Sequence, residues 1–189
     1  MRQAVTAAIY LALAALASAP VAAQDWSAVE ALREGDMKKL VFGGPPEAVP
    51  EIALVDADGG PAALSDYRGR WVVLNFWATW CAPCRVEMPT LANLQDAMEG
   101  APVEVVTVAT GRHSPQGIAR FFDEIGVDNL PQYRDPGQEL ARAMAVLGLP
   151  ITVIVDPQGR EVARLRGDAH WDSDSAIAIL EALAARSEG

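Results

Sequence analysis

The segment Trp71 to Trp77 sets the strictest limit on how this chain can fold. Its sequence, WVVLNFW, is apolar at every position except Asn75 and shows no alternation between polar and apolar residues. A strand with one face in water would alternate. The pattern therefore predicts a strand that is buried on both faces, which is typical of central strands in α/β sheets.

The segments around this strand predict a sheet of mixed direction. A helix-like stretch over 83–98 follows it, and a valine-rich strand over Val103–Ala109 comes next, so these two strands form a parallel pair. The other predicted elements are a strand over 51–60 ending in an Asp-Gly turn, helices over 118–125 and 139–147, a hairpin of strands 151–155 and 161–165, and a last helix capped within 172–175. We therefore expect an α/β domain with a central mixed β-sheet flanked by helices.

Residues 1–23 have the layout of a secretory signal peptide. After a positively charged start, the 14 residues from Ala4 to Ala17 are polar only at Thr6, and small residues then lead to a cleavage site after Ala23. An uncleaved membrane anchor is the alternative, because no charge occurs from Gln3 through Gln24. Either way, we expect the rest of the chain to be exported.

Residues 24–50 form a preface to a domain that we place at 51–189. Trp26, Val29 and Leu32 have helical spacing, and Gly35 ends that pattern. The segment 43–46, Gly-Gly-Pro-Pro, has the composition of a linker. The prediction is a short helix and an extended lead-in that cover the domain.

The charge balance argues against one class of partner. Fifteen Lys and Arg against 25 Asp and Glu give a formal net charge of −10, and such a surface repels a phosphate backbone. We therefore expect no nucleic-acid partner.

The two cysteines form the motif Cys81-Ala82-Pro83-Cys84 at the start of the predicted helix. Unpaired N–H groups and the helix dipole favour an anion there, so Cys81 is placed to be the exposed, low-pKa thiolate that attacks a disulfide. Cys84, one turn later, lies deeper and can resolve the mixed disulfide. Pro83 suits the first helical turn, where its missing N–H has no cost.

Redox exchange competes with other uses of the two thiols. A zinc site needs about four ligands, and His113 and His170 lack the paired spacing of a zinc finger. A purely structural disulfide across two residues removes little chain entropy. A Cu(I) site formed by both thiolates and Met88 remains the alternative. For redox exchange itself, we expect no metal and no other cofactor.

Three residues outside the motif are candidates for the same site. Glu87 lies three residues after Cys84 on one helix face, where an acid can exchange the proton that moves when the disulfide opens; a solvated surface charge is the alternative. Asn75 can hydrogen-bond but cannot titrate. Pro150 alone favours a trans turn, whereas a cis bond would leave the backbone of Leu149 free to pair with an extended peptide.

The segment from Asn75 to Pro89, NFWATWCAPCRVEMP, resembles the active-site segment of TlpA-like thioredoxin-fold proteins, which include the ResA-type and CcmG-type proteins of cytochrome c maturation. The resemblance covers roughly residues 50–186 and includes the sequence LPIT at 149–152. It implies a thioredoxin-like fold, Cys81 as the attacking cysteine, Cys84 as the resolving cysteine, and a cis Pro150 that faces them.

The resemblance also implies roles for the neighbouring residues. Glu87 matches the acidic residue of the ResA-type reductases, and Trp80 matches an aromatic residue that shields the sulfurs. Asn75 replaces the buried Asp of ordinary thioredoxins, which shifts proton handling toward Glu87. Proteins that resemble peroxiredoxins carry Thr or Ser three residues before the attacking cysteine, and this chain has Ala78 there.

The expected function is that of an exported thiol–disulfide oxidoreductase, acting as a reductase in the periplasm. The expected partners are disulfide-containing protein substrates, bound near Trp80, Pro83 and Leu149, and an inner-membrane electron donor. The substrates implied are apocytochrome c cysteines or the copper-site cysteines of an oxidase assembly factor. The reducing direction rests on the resemblance.

Overall fold

The central strand, β4 (Trp71–Trp77), is buried along its whole length, as its sequence predicts. It runs parallel to β5 (Val103–Thr110) and antiparallel to β7 (Ile151–Val155). These two neighbours satisfy the backbone of β4 on both sides, so an apolar strand with no exposed edge lies at the centre of the sheet.

The computed structural model describes residues 24–186, and the predicted signal peptide or anchor over residues 1–23 lies outside them. The other strands are β1 (Val41–Ala48), β2 (Leu54–Val55), β3 (Pro61–Ala62), β6 (Gln132–Asp135) and β8 (Arg160–Arg166). The helices are α1 (Ser27–Glu30), α2 (Ala82–Ala97), α3 (Pro115–Ile125), α4 (Glu139–Ala143) and α5 (Asp174–Ala185), with 3-10 turns at Gly35–Lys39 and Leu64–Tyr67. Among these helices, none combines the length and apolarity needed to cross a bilayer.

The strands form one mixed sheet in the order β1-β8-β7-β4-β5-β6-β2-β3. β4, β5 and β6 are parallel, and the other neighbouring pairs are antiparallel. The hairpin of β7 and β8 and the strand–helix–strand unit of β4, α2 and β5 confirm the sequence predictions. The expected α/β class with a mixed central sheet is therefore confirmed.

Apolar side chains pack on both faces of the sheet. One face, which presents Val73 and Trp77 of β4, packs against α2, α3 and α5. The opposite face, which presents Leu74 and Phe76, packs against α4. Alternate residues of β4 therefore enter two different cores, which explains why its sequence has no polar face.

Residues 26–48 pack against the same domain and complete its sheet. Trp26, Val29, Met37 and Leu40 are buried in the core that also holds α5. The segment 43–46, predicted to be a linker, lies within β1, which pairs with β8 and carries an irregularity between Phe42 and Glu47. An edge strand tolerates its prolines because one side of its backbone has no strand partner. The predicted cover is present, and it adds a strand.

Two shorter elements differ from the sequence prediction. The helix predicted over 139–147 ends at Ala143, because Ala145 has a left-handed backbone with φ of 52°. β6 was not predicted, since its sequence, QYRD, is polar and mostly half-buried. The strand predicted over 51–60 is reduced to the two residues of β2, paired with β3.

Candidate active site

Helix α2 places the two cysteines at its first turn. Cys81 is the N-cap residue, and its Sγ accepts a hydrogen bond from the backbone N–H of Cys84 at 3.2 Å. The two sulfurs are joined in a disulfide. Pro83 occupies the first turn, as predicted, and its side chain is exposed. The Sγ of Cys81 therefore lies where helix N–H groups stabilise a thiolate once the disulfide opens.

Cys81 is more accessible than Cys84, as predicted, but both cysteines are buried. Cys84 is completely buried, and Cys81 is 5% exposed, so the prediction of an exposed attacking sulfur is wrong in degree. The cause is its N-cap position, where Cys81 also donates its backbone N–H to the carbonyl of Ala78 at 3.1 Å and packs into the core. Disulfide exchange at this site therefore needs a partner that reaches a small exposed edge of Cys81.

Among the described residues, large apolar side chains are exposed next to the cysteines in sequence and on the segment before Pro150. Trp80 is 74% exposed, Val86 is 64% exposed and Leu147 is 94% exposed. Most of the surface of Trp80 thus faces solvent, which differs from the shielding position implied by the resemblance.

Glu87 is buried, so the alternative of a solvated surface charge is wrong. Its Oε1 accepts a hydrogen bond from the indole N–H of Trp171 at 2.7 Å, and its Oε2 accepts one from the amide of Asn75 at 3.0 Å. Burial raises the pKa of Glu87 to about 7, against the opposing effect of these two hydrogen bonds. A carboxyl that titrates near neutral pH can both take and give a proton.

Asn75 connects Glu87 to the neighbouring strand. Its side-chain amide also donates to Oγ1 of Thr152 on β7, at 2.9 Å, and all three residues are buried. The Oδ1 of Asn75 is buried without a hydrogen-bond partner among the described residues. The spacing of the motif did not indicate that Thr152 or Trp171 contacts this network; Trp171 follows Glu87 by 84 residues, and no local pattern links them.

Pro150 and Leu149 lie at the same end of the sheet as the cysteines. The Leu149–Pro150 bond is cis, as the resemblance implies. Ile151, the next residue, opens β7 opposite Phe76, near the end of β4 that leads to Cys81. Pro150 is buried, and Leu149 is half-buried. The strand register therefore brings the two predicted parts of the site to one edge.

The two histidines have separate surroundings. The Nδ1 of His113 lies 3.2 Å from Oγ1 of Thr79, its Nε2 lies 3.1 Å from the carbonyl oxygen of Thr110, and its ring stacks on Trp77. His170 is exposed and pairs with a carboxylate of the preface. Within residues 24–186, His, Cys, Asp and Glu side chains form no group of three or more that is suited to a metal ion.

The sheet, the helix that begins at the Cys-x-x-Cys disulfide and the cis-proline strand define a thioredoxin-like protein with a redox-type cysteine pair. The profile of the AhpC/TSA family matches residues 45–162. The chain belongs to the AhpC/TSA family. At the position where the peroxiredoxin pattern needs a hydroxyl, the chain has a buried Ala78.

Individual relatives agree with this assignment. The thiol-disulfide oxidoreductase ResA of Bacillus subtilis (strain 168) is 36% identical over 118 residues, which is 62% of this chain and 65% of that protein. The chain thus spans just under two thirds of the length of this curated relative. The match confirms the resemblance to ResA-type proteins.

Solved structures show the same fold. The thiol:disulfide interchange protein DsbE of Chlorobium tepidum matches with a TM-score of 0.64 and 26% identity, covering 76% of this chain and 97% of that one. The exposed lipoprotein thioredoxin Etrx1 of Streptococcus pneumoniae matches with a TM-score of 0.59 and 29% identity, covering 71% of this chain and 98% of that one. The expected thioredoxin-like fold is therefore confirmed.

Proposed function

We propose that this protein is a thiol–disulfide oxidoreductase that uses Cys81 and Cys84 as its redox pair and acts on disulfide-containing proteins. The observation that carries the proposal is the position of the Cys81 sulfur, which caps α2 and accepts the N–H of Cys84. Two other observations support it: a buried acid one turn further along the helix, and relatives named for the same chemistry.

The reaction follows from the geometry of the pair. In the reduced protein, the thiolate of Cys81 attacks one sulfur of a substrate disulfide; a mixed disulfide forms, and the first substrate sulfur leaves and takes a proton. Cys84 then loses its proton and attacks the Sγ of Cys81. The Cys81–Cys84 disulfide forms, and the second substrate sulfur leaves as a thiol after protonation. Two electrons pass from the pair to the substrate.

Glu87 supplies the acid–base step in this scheme. Cys84 is completely buried, so its proton has no direct access to bulk water. The carboxylate of Glu87, three residues along α2 and also buried, accepts that proton and later returns it to the departing thiolate or to solvent. A pKa of about 7 suits both directions of transfer.

We infer that the protein works as a reductase outside the cytoplasm, in the periplasm, and is reset by an inner-membrane electron donor. The leader-like residues 1–23 support export, either cleaved or as a membrane tether, and one structural neighbour is named an exposed lipoprotein. The reducing direction and the substrates, cysteines of apocytochrome c or of a copper-site assembly factor, rest on the resemblance of residues 75–89 to the ResA-type and CcmG-type proteins.

Insulin reduction by the wild type and three variants tests the activity. We expect Cys81→Ser to abolish turnover, Cys84→Ser to accumulate a mixed disulfide that gels and mass spectrometry detect, and Glu87→Gln to slow turnover around neutral pH. A Cys81→Ser variant that keeps the wild-type rate contradicts the proposal. A potential of the pair on the order of −120 mV, that of strong oxidants, contradicts the reductase direction alone.

The Cu(I) alternative makes a separate prediction for the same reduced protein. Both thiolates would bind the ion, with Met88 as a third soft ligand, and Met88 is completely buried in the core that holds the cysteines. Tight Cu(I) binding that Met88→Leu weakens, together with a wild type that does not reduce insulin, would favour that alternative over disulfide exchange.

A further inference from the structure

Two side chains donate to the carboxylate of Glu87, one to each oxygen, and they differ in kind; a hydrogen bond from the backbone of Ala169 also favours the ionised form. The indole of Trp171 donates to Oε1, and the amide of Asn75 donates to Oε2. An amide offers both a donor and an acceptor, whereas an indole N–H can only donate. The contact with Trp171 therefore favours the ionised carboxylate.

The position of Trp171 is fixed by contacts with α2. Its ring is 1% exposed, and its backbone N–H donates to Oγ1 of Thr90 at 3.1 Å. The hydroxyl of Thr90 in turn donates to the carbonyl of Glu87 at 2.7 Å and lies 3.3 Å from the carbonyl of Ala169. The loop before α5 is thus bonded to the same helical turn that carries Glu87.

The preface holds this loop from its other side. Asp36 accepts hydrogen bonds from the ring and the backbone N–H of His170, at 2.8 and 3.3 Å. Lys39 donates to the carbonyl of Asp168 at 2.6 Å. Asp168 and His170, which alternate with the buried Ala169 and Trp171, are therefore anchored to the preface. Contacts with α2 on one side and with the preface on the other hold the loop that carries the Trp171 indole.

We propose that Trp171 is a positioning residue for disulfide exchange, which fixes the carboxylate of Glu87 and keeps its ionised form available to take the proton of Cys84. This proposal rests on the proposed function. In the step concerned, within the mixed disulfide with the substrate, the S–H bond of Cys84 breaks and an O–H bond forms on Glu87. The freed thiolate then attacks the Sγ of Cys81, whose bond to the substrate sulfur breaks, and the substrate sulfur leaves and takes a proton. Trp171 acts through Glu87 and exchanges no proton itself.

Among the described residues, the charged groups around Glu87 include those of the loop before α5 and of the preface, and Arg85 on α2, which pairs with Glu124 of α3. Asp168 is exposed, and its charge raises the pKa of Glu87; His170, Asp36 and Asp172 lie further along the loop and on the preface. On α2 itself, Cys81 and Cys84 titrate only when reduced. Burial raises the pKa of Glu87, and the hydrogen bond from Trp171 is the largest opposing effect.

The oxidised protein gives the cleanest test, because its cysteines do not titrate. The side-chain carboxyl of Glu87 is followed by ¹³C NMR against pH in the wild type and in Trp171→Phe. Loss of a hydrogen bond to a charged group should move the midpoint upward by about one pH unit or more. An unchanged midpoint in a folded Trp171→Phe protein overturns the proposal.

Trp77→Phe is the matched control. Trp77 is also a fully buried tryptophan, but its indole N–H has no hydrogen-bond partner among the described residues. The same change of ring volume there should leave the midpoint of Glu87 where it is in the wild type. An equal shift in both variants would show a general packing effect and would overturn the specific role of Trp171.

A measurement on the wild-type protein tests the same contact without relying on the folding of a Trp171 variant. The ¹⁵N–¹H signal of the Trp171 indole should shift with the same midpoint as Glu87, and Glu87→Gln should remove that transition. An indole signal that stays constant while Glu87 titrates overturns the proposal. The Trp77 indole signal serves as the internal reference.

The rate of insulin reduction against pH then connects the contact to turnover. The rising limb should move upward in Trp171→Phe by the shift that NMR measures for Glu87, with the rate at high pH retained. A shifted Glu87 with an unmoved rate profile overturns the role in exchange. A wild type that does not reduce insulin, but shows the NMR shifts, contradicts the proposed function and leaves the contact established.

Discussion

Glu87 makes the stability of the folded chain depend on pH. Its pKa is about 7 in the folded state and 4.5 as the ordinary value, with burial as the cause. The folded state therefore binds the proton more tightly than the unfolded state does. The stabilisation is complete below about pH 4.5 and is lost as the pH rises through about 7, and its size is roughly 3 kcal/mol.

Glu87→Gln should remove this dependence. Between pH 4.5 and pH 8, the free energy of unfolding of the oxidised wild type should fall by roughly 3 kcal/mol relative to the variant, because only the wild type must ionise a buried group. Urea unfolding followed by circular dichroism at several pH values measures the difference. Glu181→Gln, at an exposed position of α5, is the control and should follow the wild type. Parallel curves for Glu87→Gln and the wild type would falsify the assignment.

Sequence spacing located part of this site and missed the rest for a physical reason. Cys81, Cys84 and Glu87 lie within two turns of one helix, so their common face follows from the helical period. Trp171 and Thr152 reach Glu87 and Asn75 only through tertiary packing. Burial of Glu87, which changes its chemistry most, is a property of that packing and has no local pattern.

Among the secondary structure elements, predictability followed length and periodicity. β4, α2, β5 and the hairpin of β7 and β8 carry clear apolar patterns and were predicted near their observed bounds. β6 has four mostly half-buried residues, and β1 contains Gly-Gly-Pro-Pro, so neither sequence indicates a strand. Both become strands because a neighbouring strand offers its backbone groups, which is information held elsewhere in the chain.

The preface contributes to stability through α1 and the 3-10 turn that follows it. Leu40 is completely buried in the main core, so Leu40→Ala should lower the free energy of unfolding by about 2–5 kcal/mol. Leu32, 36% exposed on the same segment, is the matched control, and Leu32→Ala should cost less than about 1 kcal/mol. Urea titration of both variants checks the prediction, and equal small losses would mean that the preface contributes little to the folded domain.

At the level of the whole molecule, residues 24–50 and the segment after them share one core and one sheet. Removing the preface would expose the apolar groups that now cover α5 and β8, and it would leave β8 as an open edge. We therefore expect the stability of the domain to depend on a segment that precedes both the site motif at 75–89 and the domain boundary at residue 51 expected from the sequence.

Two truncated chains test this dependence. A chain of residues 24–189 should unfold in a single transition, whereas a chain of residues 51–189 should unfold at a clearly lower urea concentration and bind a hydrophobic dye, because Trp26, Val29, Met37 and Leu40 no longer cover the core. Circular dichroism and dye fluorescence provide the measurements. Identical unfolding midpoints for the two chains would show that the preface is dispensable.

The two outer strands of the sheet also affect how copies of the protein meet. β1 contains Pro45 and Pro46, and β3 consists of Pro61 and Ala62 alone. Proline has no N–H to offer to an incoming strand, and a two-residue strand presents almost no ladder. Both borders of the sheet therefore offer few N–H donors to an incoming strand, which disfavours edge-to-edge pairing between copies of the protein.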